Sequence, residues 1–202
     1  MSDTIDKRIV RSKEALKETF LQLLRQKPFH QIAVTELVRE ARYNRGTFYA
    51  NFETKENLLN EMLRETLDEM ISQIRHPYKS SEKVNMKLLP TGDITLFNYL
   101  KDNADLYKLL LSDHIQVDFR YRMAQAIERL FIEEYEYELD EDTRVDIKWL
   151  YVYRAHGIAG LIIRWIEDDF PSSPVYMAEQ IVELMTMSTE VFHVKTNSQG
   201  GR

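Results

Sequence analysis

The stretch that most limits what this chain can fold into runs from Phe29 to Leu59: FHQIAVTELVREARYNRGTFYANFETKENLL. Three capping residues and two short apolar patterns are packed into it. Thr35 is placed to cap a short helix over 36–41, its hydroxyl accepting a backbone N–H of the first turn. Leu37, Val38 and Ala41 give that helix one apolar face. Arg42 and Tyr43 form a turn, Asn44 caps a second short helix over 45–51, and Thr54 caps a third beginning at Lys55. Two short helices separated by three or four residues are the geometry of a helix-turn-helix, whose second helix can enter a DNA major groove.

Within the second helix the residues divide by chemistry. Gly46 allows close approach of a backbone or phosphate. Thr47 and Tyr49 carry hydroxyls suited to phosphate oxygens, which set register without reading sequence. Arg45 is the candidate for bidentate contact with guanine and Asn51 for pairing with adenine. Phe48 and Phe52 fall on the opposite side and read as core. Lys55 places a cation in the first turn of a helix, against the helix dipole, and a phosphate partner would account for it.

The run Ile32-Ala33-Val34-Thr35, then Leu37, Ala41, Gly46-Thr47-Phe48-Tyr49, Phe52, Lys55-Glu56 and Leu58-Leu59 resembles the N-terminal DNA-binding domain of TetR-family transcriptional regulators. The resemblance covers residues 8 to 60; beyond them it is one of length and helical character. It implies that Tyr49 and Lys55 anchor the DNA backbone. It implies too that the last two long helices, about 143–169 and 174–193, pair with those of a second copy in a four-helix bundle. One position departs from the pattern: Arg42 stands where the family's turn usually carries glycine. A non-glycine side chain at positive φ there costs on the order of 1 kcal/mol, unless the turn differs or Arg42 gains a phosphate.

The remaining sequence is read as helical throughout. A first helix over 7–26 has Ile9, Ala15, Leu16, Phe20, Leu23 and Leu24 at helical spacing and ends at Lys27-Pro28. The third helix continues from Lys55 to Arg75, long enough to span a head and a body and to act as the lever between them. Residues 77–93, with two prolines and a glycine, read as a loop holding one helical turn near 84–89. Further helices are expected over 94–112, 117–137, 143–169 and 175–192. The third of these is apolar nearly all round and so is expected to be buried on more than one side. The acidic run Glu133–Asp142 reads as a solvated helix end, since it lacks the glycine and spaced oxygens of a calcium loop.

Charge agrees with a basic head on an acidic body. Residues 1–58 hold 11 Lys/Arg against 8 Asp/Glu, and the rest holds 16 against 25. With no cysteine there is no disulfide or thiolate metal site. The N-terminus has no apolar signal run, and the most apolar stretch carries Lys148, Arg154, His156 and Arg164, which a bilayer span tolerates poorly. No H-E-x-x-H pair, glycine-rich phosphate loop or G-x-S-x-G appears. An enzyme, a metal centre and a cofactor are therefore not expected.

The expected fold is all-α: a helix-turn-helix DNA-binding domain over 1–54, a helical ligand-binding and dimerisation domain over 55–194, and a disordered tail over 195–202. The expected partners are a double-stranded DNA operator, a second copy of the chain, and a small effector, with no membrane and a cytoplasmic location. Tyr99, Tyr107, His114, Phe119, Trp149, Tyr153, His156 and Trp165 are the amphipathic residues suited to lining an effector pocket between helices. The function this implies is a dimeric repressor of a near-palindromic operator, released by the effector. Three alternatives stand beside it: a regulator controlled by a partner protein, a co-activator whose head has lost DNA, and a helical enzyme or carrier with a vestigial head. Arg45, Tyr49 and Lys55 weigh against a dead head.

Overall fold

The first helix, α1 (Ser2–Gln26), buries Leu16, Phe20, Leu23 and Leu24 and is stopped at Pro28, whose ψ of 149° breaks the helical path. Ile9 was expected on that buried stripe but is 48% exposed. It lies one turn before Ser12 and Lys13, which tie α1 to α3 and α4. In this computed structural model residues 2–79, 83–115, 117–139 and 141–187 are described, with side chains from residue 7 onward. The described residues are helical and contain no strand.

A 3-10 turn at Phe29–Gln31 leads into α2 (Val34–Glu40) and α3 (Arg45–Asn51). Together with α1 they enclose a small core around Phe20, Phe29, Leu37 and Phe48. Next comes α4 (Lys55–Arg75), with the ends expected from the sequence. It buries Leu58, Leu59, Met62, Leu63, Leu67, Met70 and Ile71. Its first half closes the head; its second half packs against the body.

The body contains α5 (Leu96–Asp102), α6 (Ala104–Leu111), α7 (Phe119–Glu134), α8 (Ile147–Glu167) and α9 (Pro174–Thr186). The segment 94–112, expected as one helix, is two. Asn103 takes φ −106° and ψ 26°, and its carboxamide donates to the Tyr99 carbonyl at 2.9 Å, a side-chain bond that competes with helix continuation. Asp118 and Asp146 cap α7 and α8 two and four residues later than the expected starts. The loop after α4 forms 3-10 turns at His76–Tyr78, Met86–Leu88 and Thr91–Asp93, and α9 packs on the last two and on α5. α9 ends at Thr186 with Met187 extended, earlier than the expected 192. The expected tail, 195–202, and residues 188–193 lie outside the described residues.

Two expectations for the body change. The acidic run is not simply solvated: residues 135–139 run extended, so side chains alternate. Glu136 and Glu138 face out, while Tyr135 and Tyr137 turn in. Tyr135 stacks on Phe131 at 4.7 Å and its hydroxyl donates to that of Tyr78. Burial raises the Tyr135 pKa. α8, expected to be buried on more than one side, buries Ala155, Ala159, Ile162, Trp165 and Ile166 and leaves Trp149 and Tyr153 outside, 64% and 78% exposed. In a single chain its second apolar side has no cover. No described helix is long and apolar enough to cross a membrane.

Candidate nucleic-acid interface

The α2–α3 turn is built from backbone bonds. The Arg42 N–H donates to the Arg39 carbonyl at 3.1 Å and the Tyr43 N–H to the Val38 carbonyl at 2.8 Å. This is a Schellman ending, which needs a left-handed residue between helix and turn. Arg42 fills that place at φ 58°. The strain anticipated from its missing glycine is therefore present, on the order of 1 kcal/mol.

Asn44 starts α3. Its Oδ1 accepts from the Thr47 N–H at 2.8 Å and the Thr47 hydroxyl at 3.2 Å. A Cβ on Gly46 would sit 3.2 Å from the same Oδ1, so glycine here leaves room for the cap rather than bending the backbone. Phe48 and Phe52 are buried and lock the inner face. Arg45, Tyr49 and Ala50 are exposed on the outer face, and Tyr49 is 58% exposed with its ring edge-on to Phe48. Thr54 accepts from the Asn57 N–H and starts α4.

Three expected roles are corrected. Thr35 does not cap α2: the helix starts at Val34 with Ala33 in the cap position and no side-chain bond. Thr35 is exposed within the first turn, where Glu36 supplies the favourable negative charge. Asn51 does not face outward: its amide donates to the Thr47 carbonyl at 2.8 Å and to the Ser12 hydroxyl at 3.3 Å, tying α3 to α1. Lys55 finds its partners within the protein. Its ammonium donates to the carbonyls of Phe29 at 3.0 Å and Ile32 at 2.9 Å and lies 4.4 Å from the centre of the Phe29 ring. These contacts account for a cation in a helix's first turn without a phosphate.

Sequence reasoning missed Lys17. On the polar side of α1 a lysine reads as solvated, yet this one is 7% exposed. Its ammonium is 2.9 Å from Glu61 and 2.7 Å from Glu65 of α4, and Lys13 also reaches Glu61 at 2.8 Å. Burial pulls the Lys17 pKa down, but the two carboxylates more than offset this and leave it raised. Burial likewise pushes Glu61 up, and the two lysines overcome it and hold it below the usual range. The only signal in the sequence was the spacing of Glu61 and Glu65 on one face of α4.

The candidate effector residues do not all come together. Tyr107 and Phe119 are buried core residues, their rings 6.2 Å apart, and the Tyr99 ring lies 6.1 Å from that of Tyr107, so these three form one cluster. Trp165 is buried against Phe97 and Phe170. His114 faces the head, its Nδ1 2.7 Å from the Leu24 carbonyl. Trp149 and Tyr153 are on the outside of α8, and His156 stands near Glu128 at 3.4 Å. An open groove of about 320 Å³ between α1, α4 and α6, floored by Leu21, Met62, Leu106 and Leu110, includes none of them.

Comparison with known proteins agrees with this architecture. Residues 18–62 match the model for bacterial regulatory proteins of the tetR family, and residues 91–187 match a transcriptional regulator C-terminal region of the same family. An uncharacterized HTH-type transcriptional regulator, YxbF, of Bacillus subtilis (strain 168) is 35% identical over 190 residues, 90% of this chain and 46% of that protein. The chain thus spans about half the length of this curated relative. Among solved structures, a TetR transcriptional regulator from Streptococcus agalactiae 2603V superposes with a TM-score of 0.61 at 22% identity, covering 91% of this chain and 98% of that one. The dihydroxyacetone kinase operon activator DhaS superposes at 0.58 and 19% identity, covering 87% and 94%. With a capped helix-turn-helix, an all-helical body and matches to the family in both parts, the chain belongs to the TetR family of transcriptional regulators.

Proposed function

We propose that the chain is a sequence-specific regulator that binds a near-palindromic DNA operator as a homodimer, in the cytoplasm, and represses until a small effector releases it. The observation that carries the DNA part is the outer face of α3: Arg45 and Tyr49 stand exposed on a helix whose inner face and both ends are fixed. Arg45 is the base reader, through a bidentate contact of its guanidinium with guanine. Tyr49, Thr47 and the exposed Thr35 and Arg42 hold the phosphates. Lys55 and Asn51 serve the same interface by fixing the turn and helix that carry it. The head is assigned to residues 1–54 and the body to 55–194.

Dimerisation is supported by α8 and α9. Trp149, Tyr153, Gly157 and Gly160 recur at the spacing of one helix face, all exposed, and a Cβ on either glycine would meet nothing within 4 Å. On α9, Tyr176 and Leu184 are exposed as well, with Met187 exposed just beyond its end. Uncovered apolar rows of this kind mark association surfaces. Two heads on such a dimer would read half-sites about one turn apart, roughly 34–36 Å.

Selection of duplexes from a random pool by the purified chain, at stated salt, tests this reading. Enrichment of a palindrome supports it; no enrichment by a folded dimer sinks it. A second reading is control by a protein partner, with activation rather than repression. The dispersal of the effector candidates favours partner control, and the fold neighbour DhaS is an operon activator.

A further inference from the structure

Besides α4, which runs through both, the head and the body are joined by hydrogen bonds at the turn after α6. The turn after α6 is shaped by Ser112, whose hydroxyl donates to the Leu109 carbonyl at 2.7 Å and accepts from the His114 N–H at 3.3 Å. Ile115 anchors this turn in the core, 6% exposed. From it His114 reaches the head twice. Its ring Nδ1 lies 2.7 Å from the Leu24 carbonyl, near the end of α1, and its own carbonyl accepts from the Phe29 N–H at 2.9 Å. A carbonyl can only accept, so Nδ1 carries the proton in this bond. The Phe29 carbonyl, on the other side, accepts from Lys55. Thus the body holds the N–H of Phe29 and α4 holds its C=O, five residues before α2 begins at Val34.

We propose that the body sets the position of the helix-turn-helix through this clasp on Phe29–Ile32, with His114 as the positioning residue. It is a route from body to head separate from the length of α4. A displacement of the 112–115 turn pulls on Leu24 and Phe29 together, and Ile32 passes it to α2. The groove between α1, α4 and α6 ends at Leu110, two residues before this turn. The regulatory consequence rests on the DNA-binding reading; the mechanical link does not.

The test uses the full chain and amide hydrogen exchange, with duplex affinity measured in parallel. His114→Phe keeps a ring and removes the donor; His114→Asn restores an N–H near the place of Nδ1. In the Phe variant the Phe29 amide should exchange about tenfold faster, while the amides of Ile127 and Ile162 in the body core stay as they were. Duplex affinity should fall in the Phe variant, and Asn should restore both. The proposal is overturned if Phe29 exchange does not change, if it rises only as much as that of Ile127 and Ile162, or if Asn behaves like Phe. It is also overturned if exchange rises with affinity unchanged. Should the wild-type chain bind no duplex, the DNA reading fails while the exchange result still decides the clasp.

Discussion

The head and the body are both helical bundles that use caps and ring contacts, and they differ in which of the two lies beside the exposed surface. In the head, polar side chains grip backbone. Asn44 and Thr54 start α3 and α4, Asn51 closes on α1, and Lys55 collects the carbonyls of the 29–32 turn. In the body, rings meet rings: Tyr99, Tyr107 and Phe119 in one cluster, Tyr78, Phe131, Tyr135 and Tyr137 in another. Polar side chain to backbone contacts are short in reach and fixed in direction, so they place an exposed surface accurately. Aromatic contacts are larger and take a few preferred geometries, and in the body they join helices in the interior. The comparison teaches that the exposed face of α3 is fixed by short polar contacts at its ends, while the body's ring clusters fill its inside.

The largest expected effect comes from breaking the head's core. Phe48→Ala should cost about 3–5 kcal/mol in denaturant unfolding and remove duplex binding with it. Tyr135→Phe, which removes only a hydroxyl pairing in the body, should cost about 1 kcal/mol and spare binding. Next is the outer face of α3. Arg45→Ala should weaken binding to the preferred site by about 1–3 kcal/mol and relax base preference in a selection experiment, with the unfolding midpoint unmoved. Lys55→Met sharpens the contrast, because it tests fixing against touching. Binding should weaken with the salt slope unchanged, whereas loss of a phosphate contact would lower the slope by about one.

The ion network between α1 and α4 gives a pH-dependent difference. Glu61 sits below its usual value in the folded chain, so its contribution is present above the unfolded value of 4.5 and is lost as pH falls through the folded one. Lys17 is raised, so its contribution is present below 10.5 and lost as pH climbs through the folded value. Unfolding midpoints measured across pH should therefore fall on the acid side, and Lys17→Met should flatten that fall. The smallest effect is at the turn: Arg42→Gly should stabilise the chain by about 0.5–1 kcal/mol in the same assay.

The same contrast explains what was legible. The boundaries of α3 and α4 could be read because Asn44 and Thr54 act on residues three positions away. Thr35 misled because a hydroxyl in the right neighbourhood does not oblige the backbone to start there; the helix began at Val34 and turned the hydroxyl outward. Lys17 was hidden because amphipathic periodicity assigns every lysine to water, and only the fold brings Glu61 and Glu65 to it. The effector candidates did not all come together because an aromatic residue fits core, surface and pocket equally well by type. The inward tyrosines of the acidic run depend on Tyr78 and Tyr151, far along the chain, whereas the break at Asn103 rests on a side-chain bond to Tyr99 only four residues back.

The capped, seven-residue α3 has a consequence for how such a regulator can diverge. A helix so short does not form alone in water, so its order is imported from Phe48, Phe52 and its flanking caps. Arg45 and Ala50 are exposed and contribute little to that order, and surface changes of this kind shift stability by less than about 0.5 kcal/mol. On the DNA-binding reading proposed above, mutation can therefore change what the helix contacts while leaving intact what makes it a helix, so that single steps lead to new operators with the fold kept.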